Sequence, residues 1–187
     1  MQRATLAVVP IPLHVLAWTR GAIMPEFPDW LVAFVIALLV ASLVEYWGHR
    51  AMHTVLMRKK HAEHHRDNDG QGWLGEFWDY FVGTIPLLWL GFLWSVPAGI
   101  GFLAGGLLYA CWAAYNHQIQ HETPEVVFWL KRPVHHLHHR DKMWSHNFGI
   151  STGIWDRVFG TYKATEWKPE KRVRDYPIST FFKIRWI

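Results

Sequence analysis

Residues 79–121 read DYFVGTIPLLWLGFLWSVPAGIGFLAGGLLYACWAAYNHQIQH, and the 37 positions between Asp79 and His117 carry no charged side chain. One straight helix of that length would extend about 55 Å. The hydrocarbon core of a bilayer is about 30 Å thick, and about 20 residues cross it. The stretch must therefore turn back on itself. Ser95-Val96-Pro97-Ala98-Gly99 supplies the turn, because Pro and Gly interrupt helices. Two crossings are predicted, about 78–95 and about 98–116. Pro86 should kink the first, with a neighbouring helix covering the carbonyl it frees. Gly101, Gly105 and Gly106 should let the second approach its neighbours closely.

Upstream, Trp30 to Val44 is apolar except for Ser42, and Trp30, Tyr46 and Trp47 are placed as interfacial aromatics. A third crossing is predicted at about 29–48. Residues 4–19 are uncharged between Arg3 and Arg20, but the segment is short and holds Pro10 and Pro12. It reads as a bent crossing or as an interfacial or re-entrant piece. A signal peptide is the weakest reading, since no small-residue cleavage site follows.

The 187 residues are 51% hydrophobic and 18% charged, against a charged share of about 25% in ordinary soluble domains. That composition excludes a disordered chain, a coiled coil and a highly charged soluble domain. Cys111 is the single cysteine, which excludes an internal disulfide and a thiolate metal cluster. The net charge is +4, with five Lys or Arg in residues 49–72, twelve in 117–187 and only Arg3 and Arg20 elsewhere. The 78–116 hairpin puts the two basic regions on one side, and the positive-inside rule makes that side cytoplasmic. Topology thus explains the basic residues, and no nucleic-acid recognition motif accompanies them. With no internal repeat and no low-complexity tract, 1–187 reads as a single domain.

Ten of the 13 histidines fall into four boxes. His49 and His53 lie in HRAMH; His61, His64 and His65 in HAEHH; His117 and His121 in HQIQH; His135, His138 and His139 in HHLHH. Spacings of three and four bring side chains to one face of a helix. Two boxes extend predicted crossings and two follow on the same side, so all four can meet in one cap beyond the helix ends. Crowded imidazoles repel once protonated near their ordinary pKa of about 6.5, and a bound cation gives each a partner. Ten donors exceed the four of a closed zinc site, so two ions are the economical count, and imidazole suits Fe, Zn, Cu and Ni. HExxH is absent, which argues against a zinc metalloprotease. No carboxylate-x-x-His helix pair appears, so the soluble carboxylate di-iron bundle fits poorly.

From about 45 to 163 the chain resembles the fatty acid hydroxylase/sterol desaturase superfamily of integral-membrane oxygenases. The resemblance rests on the order of the four boxes, the intervening hairpin and the block HHLHHRDKMWSHNFGISTGIWDRVFGTY at 135–162, with its Asn147-Phe148-Gly149 and Trp155-Asp156-Arg157-Val158-Phe159-Gly160-Thr161-Tyr162. It implies two iron ions on the ten box histidines, with dioxygen as co-substrate and two electrons supplied from outside. It implies attack on an unactivated C–H bond of a membrane lipid, of fatty acyl, sphingolipid, sterol or carotenoid type. Hydroxylation and desaturation use the same ligands. Zinc in a purified sample would be a substitute, because affinity alone does not select iron. Some relatives carry a cytochrome b5-like domain that this chain lacks. A separate donor protein, cytochrome b5-, ferredoxin- or reductase-like, is therefore expected.

The expected architecture is all-α: a membrane bundle of three to four crossings under a cytoplasmic helical cap, 49–72 and 117–187, holding a His-rich di-metal site. Ligating imidazoles usually donate their second N–H to a carboxylate or carbonyl. Candidate acceptors are Glu45, Glu63, Asp67, Glu76, Asp79, Asn116, Asp141, Asn147 and Asp156. Asp156 and Asn147 are favoured for their place in the matched block, and His136 and His146 are expected to support the centre rather than ligate. Phe128-Trp129-Leu130-Lys131-Arg132 reads as a short interfacial helix. Two other functions fit a His-rich membrane chain: a hydrolase using zinc-bound hydroxide, and a non-enzymatic metal-binding protein. Histidines gathered at one end count against transport.

Overall fold

The computed structural model describes residues 27–54 and 58–187, so the segment expected at 4–19 lies outside the described residues. Every regular element among the described residues is helical: α1 Asp29–Met52, α2 Arg58–Asp67, α3 Trp73–Leu88, α4 Val96–Glu122, α5 Val134–Arg140 and α6 Ile154–Val158. Short 3₁₀ turns lie at Leu90–Leu93, Pro124–Val126, Val173–Asp175 and Ile178–Phe182.

α1 and α4 form the spine of the fold. Small residues let their backbones meet. Ala33 and Ala37 of α1 pack with Ala98 and Phe102 of α4, and one layer on, Ala41 packs with Tyr109 and Ala113. A Cβ at Gly101 would collide with the Trp30 carbonyl, and one at Gly105 would lie 2.6 Å from the Phe34 carbonyl oxygen. Gly106 faces Leu88 of α3 instead. The close approach expected of these glycines is present, shared between two neighbours.

The turn before α4 is capped by Ser95, whose hydroxyl accepts from the Ala98 N–H (3.2 Å) and donates to Asp29 at the start of α1 (2.9 Å). Hence α1 and α4 run in the same direction, α3 runs back between their ends, and the four histidine boxes fall together at the far end.

α1 and α4 are long and apolar enough to cross a membrane. The helix expected at 78–95 differs from its prediction: α3 starts at Trp73 and ends at Leu88, and the chain tightens into the 3₁₀ turn Leu90–Leu93. Pro86 has no N–H for the preceding turn and its ring crowds that turn's carbonyl, so the α-helix stops just beyond it. The early start is supported from outside, because the Trp73 and Leu74 N–H groups donate to Arg185 (2.8 Å) and Trp186 (2.9 Å) carbonyls. These would otherwise be unpartnered helix-start donors. Phe128–Arg132 is a turn and not the expected short helix, since Pro133 biases the preceding residue away from helical backbone. Val35, Ile36 and Leu39 on α1, Val82 and Ile85 on α3, and Ile100 and Leu108 on α4 point outward.

Candidate metal centre

Each box occupies the end of an element already placed by the spine. His49 lies in the last turn of α1 and His53 just follows it; His117 and His121 lie in the last turns of α4; α2 and α5 carry the other two boxes. One ring nitrogen from each of His49, His53, His61, His65 and His138 lies within 4.8 Å of the others, and those of His64, His117, His121 and His135 form a second such group. His139 lies between the groups. Its ring stacks on His65 at 3.9 Å and stands 4.6 Å from the rings of His64, His121 and His135. All ten box histidines are thus brought together.

Helix geometry explains the division. His61 and His65, four apart, share a face of α2, whereas His64 is turned about 100° from His65. On α5, His138 joins one group and His135 the other.

The second ring nitrogens show how these imidazoles are held. His49 Nδ1–H donates to the Phe148 carbonyl (2.6 Å), His138 Nδ1–H to that of His146 (2.6 Å) and His64 Nδ1–H to that of Asp69 (2.8 Å). With that proton engaged, Nε2 carries a lone pair. His138 Nε2 lies 3.0 Å from His53 Nε2 and 3.1 Å from His65 Nε2, and His53 Nε2 lies 2.9 Å from His61 Nε2. One lone-pair nitrogen cannot receive protons from all of these neighbours. Both nitrogens of buried His139 and Nε2 of His64 have no hydrogen-bond partner. Buried polar atoms are ordinarily satisfied, so converging unpartnered nitrogens fit a pair of metal ions accepted by imidazole.

Burial, reinforced by neighbouring imidazoles, keeps the rings neutral and available. His53 and His61 are pulled down to about 3, and His64 and His65 to about 4. His49, His121, His135, His138 and His139 move in the same direction from the same causes.

The loop that supplies the Phe148 carbonyl is clamped by two buried carboxylates. Asp156 accepts from the N–H groups of Phe148 and Gly149 (both 2.8 Å) and from the Thr161 hydroxyl (2.7 Å). Glu45 accepts from the next two, Ile150 (2.9 Å) and Ser151 (3.0 Å), and from the hydroxyls of Ser151 and Tyr109. Four consecutive amides are thus fixed. On the other edge, the Ile150 carbonyl accepts from Gln120 (2.8 Å), whose side-chain oxygen accepts the His135 backbone N–H (3.0 Å).

Asp156 therefore bonds no imidazole, contrary to the role favoured from sequence: backbone carbonyls take the ring protons and Asp156 holds one of those carbonyls in place. Asn147 also works through backbone. It adopts φ 59°, a conformation asparagine tolerates, and its amide exchanges hydrogen bonds with both backbone groups of Lys163. His146 contributes its carbonyl. His136 stands against Trp167 at 5.3 Å, outside both groups. Of the proposed carboxylate acceptors only Glu76 lies within 4 Å of a box imidazole, its Oε1 3.0 Å from His117 Nδ1. Gln120 was missed, although a Gln beside each histidine in HQIQH is a visible sign of a polar helix end.

A cavity of about 650 Å³ opens beside the nitrogen groups. Its apolar wall comes from Val44, Gly48 and Met52 of α1 and Trp78, Val82 and Gly83 of α3, and it reaches His49, His61, His64, His117 and His135. Lys60, Glu63, Asp69, Gln71 and Asp79 line its polar part.

The model of the family described as fatty acid hydroxylase matches residues 34–161. The chain is 25% identical over 167 residues to a dihydroceramide fatty acyl 2-hydroxylase of Arabidopsis thaliana, covering 82% of this chain and 69% of the other. It is 31% identical over 86 residues to a ceramide very long chain fatty acid hydroxylase of Saccharomyces cerevisiae, covering 46% of this chain and 20% of the yeast protein. It is 23% identical over 147 residues to human lathosterol oxidase, covering 74% of this chain and 48% of the human one. No solved structure matches.

Proposed function

The chain belongs to the fatty acid hydroxylase family, and from that membership we propose that it is an oxygen-dependent hydroxylase acting on a C–H bond of a membrane lipid. Two iron ions held by the ten box histidines would activate dioxygen and supply the oxidising chemistry. The single observation carrying this reading is the convergence of imidazole nitrogens, in two groups, beside a cavity with an apolar wall.

The roles of the chain's own residues follow from geometry. Carbonyls of Phe148, His146 and Asp69 hold the Nδ1–H of His49, His138 and His64, which leaves each Nε2 its lone pair. Val44, Met52, Trp78 and Val82 offer an apolar wall for an acyl or ring system and keep water from the reacting carbon. In this reading α1, α3 with its 3₁₀ extension, and α4 cross the bilayer, and the cap of 49–72 and 117–187 lies on the cytoplasmic side. Lipid enters between α1 and α3, which both pack on α4. Electrons come from a separate donor protein.

Similarity to a sterol oxidase keeps the removal of two hydrogens as the second outcome for the same centre. The hydrolase and non-enzymatic readings have no support among the relatives named above. Lipid mass spectrometry of cells carrying wild type or His138→Ala separates the outcomes. Hydroxylation adds the mass of one oxygen, desaturation removes that of two hydrogens, and identical lipid profiles reject both.

A further inference from the structure

Glu76 is 5% exposed and sits in the first turn of α3, where it lines the cavity beside His64, His117 and His135. Its Oε1 accepts the Gln71 backbone N–H at 3.0 Å and lies 3.0 Å from His117 Nδ1, off the axis of a hydrogen bond. The Nδ1 atom has no other partner. No other carboxylate among the described residues comes this close to an imidazole. In the group of His49, His53, His61, His65 and His138, the ring N–H acceptors outside the group are neutral carbonyls. A carboxylate on the far nitrogen of a ligating histidine sets its tautomer and makes it a stronger donor.

We propose that Glu76 is a positioning residue that makes the two ion positions unequal. As carboxylate it accepts a hydrogen bond from His117 Nδ1–H, directs Nε2 to the ion and places a negative charge behind the His64–His117–His121–His135 group alone. This rests on the two-ion reading above. The two positions then differ in affinity, the ion on the Glu76 side being the one whose retention depends on that carboxylate.

The test uses cobalt(II) alone as probe, titrated into the metal-free full chain in nanodiscs and followed by visible absorption, which reports the ligand field of each ion. Wild type should show two resolved phases. The isosteric Glu76→Gln should weaken one phase by about 10–100-fold and leave the other in place, the surviving phase also reporting that the variant is folded. In a His117→Ala background, which removes the ring Glu76 acts through, Glu76→Gln should change nothing further. Two wild-type phases that are both unchanged, or both weakened alike, in Glu76→Gln overturn this proposal alone. So does a full added loss in the His117→Ala background. Fewer than two ions in wild type overturns the two-ion reading and this proposal with it.

Discussion

Replacing Asp156 by alanine removes the acceptor of three hydrogen bonds without altering any imidazole. The residue is fully buried, and its partners are the Phe148 and Gly149 N–H groups and the Thr161 hydroxyl. Hydrogen bonds to a charged group contribute about 1.5–3 kcal/mol each, and buried donors left unsatisfied carry their own penalty. Neighbouring terms are not additive, so a net loss of about 3–5 kcal/mol is expected, a large part of a typical stability of about 5–15 kcal/mol. In a chain of this size that corresponds to a fall of roughly 10 °C in melting temperature. The loss is also directed. With the Phe148 and Gly149 N–H groups released, Phe148 no longer presents a fixed carbonyl to His49, and metal should be lost before the packing of α1 on α4 is. Metal per chain and thermal unfolding, measured on purified membrane-inserted protein, test both parts. Wild-type melting together with full metal content would show that the Asn147–Ser151 loop is held without Asp156.

Gly48→Leu should block turnover while metal content stays at the wild-type level, because a Cβ at Gly48 meets nothing within 4 Å and the residue lines the cavity; unchanged turnover would place the substrate elsewhere. Gly101→Val should prevent α1 and α4 from packing, whereas Gly83→Ala, in open space, should accumulate normally on a membrane immunoblot. The metal-free protein should lose stability as pH falls from about 7 toward 4. Its unfolded histidines take protons near their ordinary value of about 6.5, but folded His53 and His61 do so only at about 3 and His64 and His65 at about 4. Protons therefore favour the unfolded chain across that window, and a melting temperature flat from pH 7 to 4 would contradict the burial of these rings.

Much of the centre is legible without coordinates because its pattern is local. Uncharged runs measured against bilayer thickness place α1 and the hairpin, and histidines three and four apart mark one helix face. Local pattern also anticipates that Gly101 and Gly105 admit a neighbouring backbone. It does not reveal how the boxes divide. His64 leaves His61 and His65 for another group, and His139 stands between the two, because that depends on how four separate segments meet. Nor does it reveal that Glu45, 106 positions from Ser151, completes a clamp begun by Asp156, or that α3 ends at Leu88 and borrows partners for its first amides from Arg185 and Trp186. Periodicity and length act between near neighbours, so the chain's order carried the boxes and the long helices. Which nitrogens converge on one another, and which carbonyls hold them, are contacts between distant residues that only the folded chain decides.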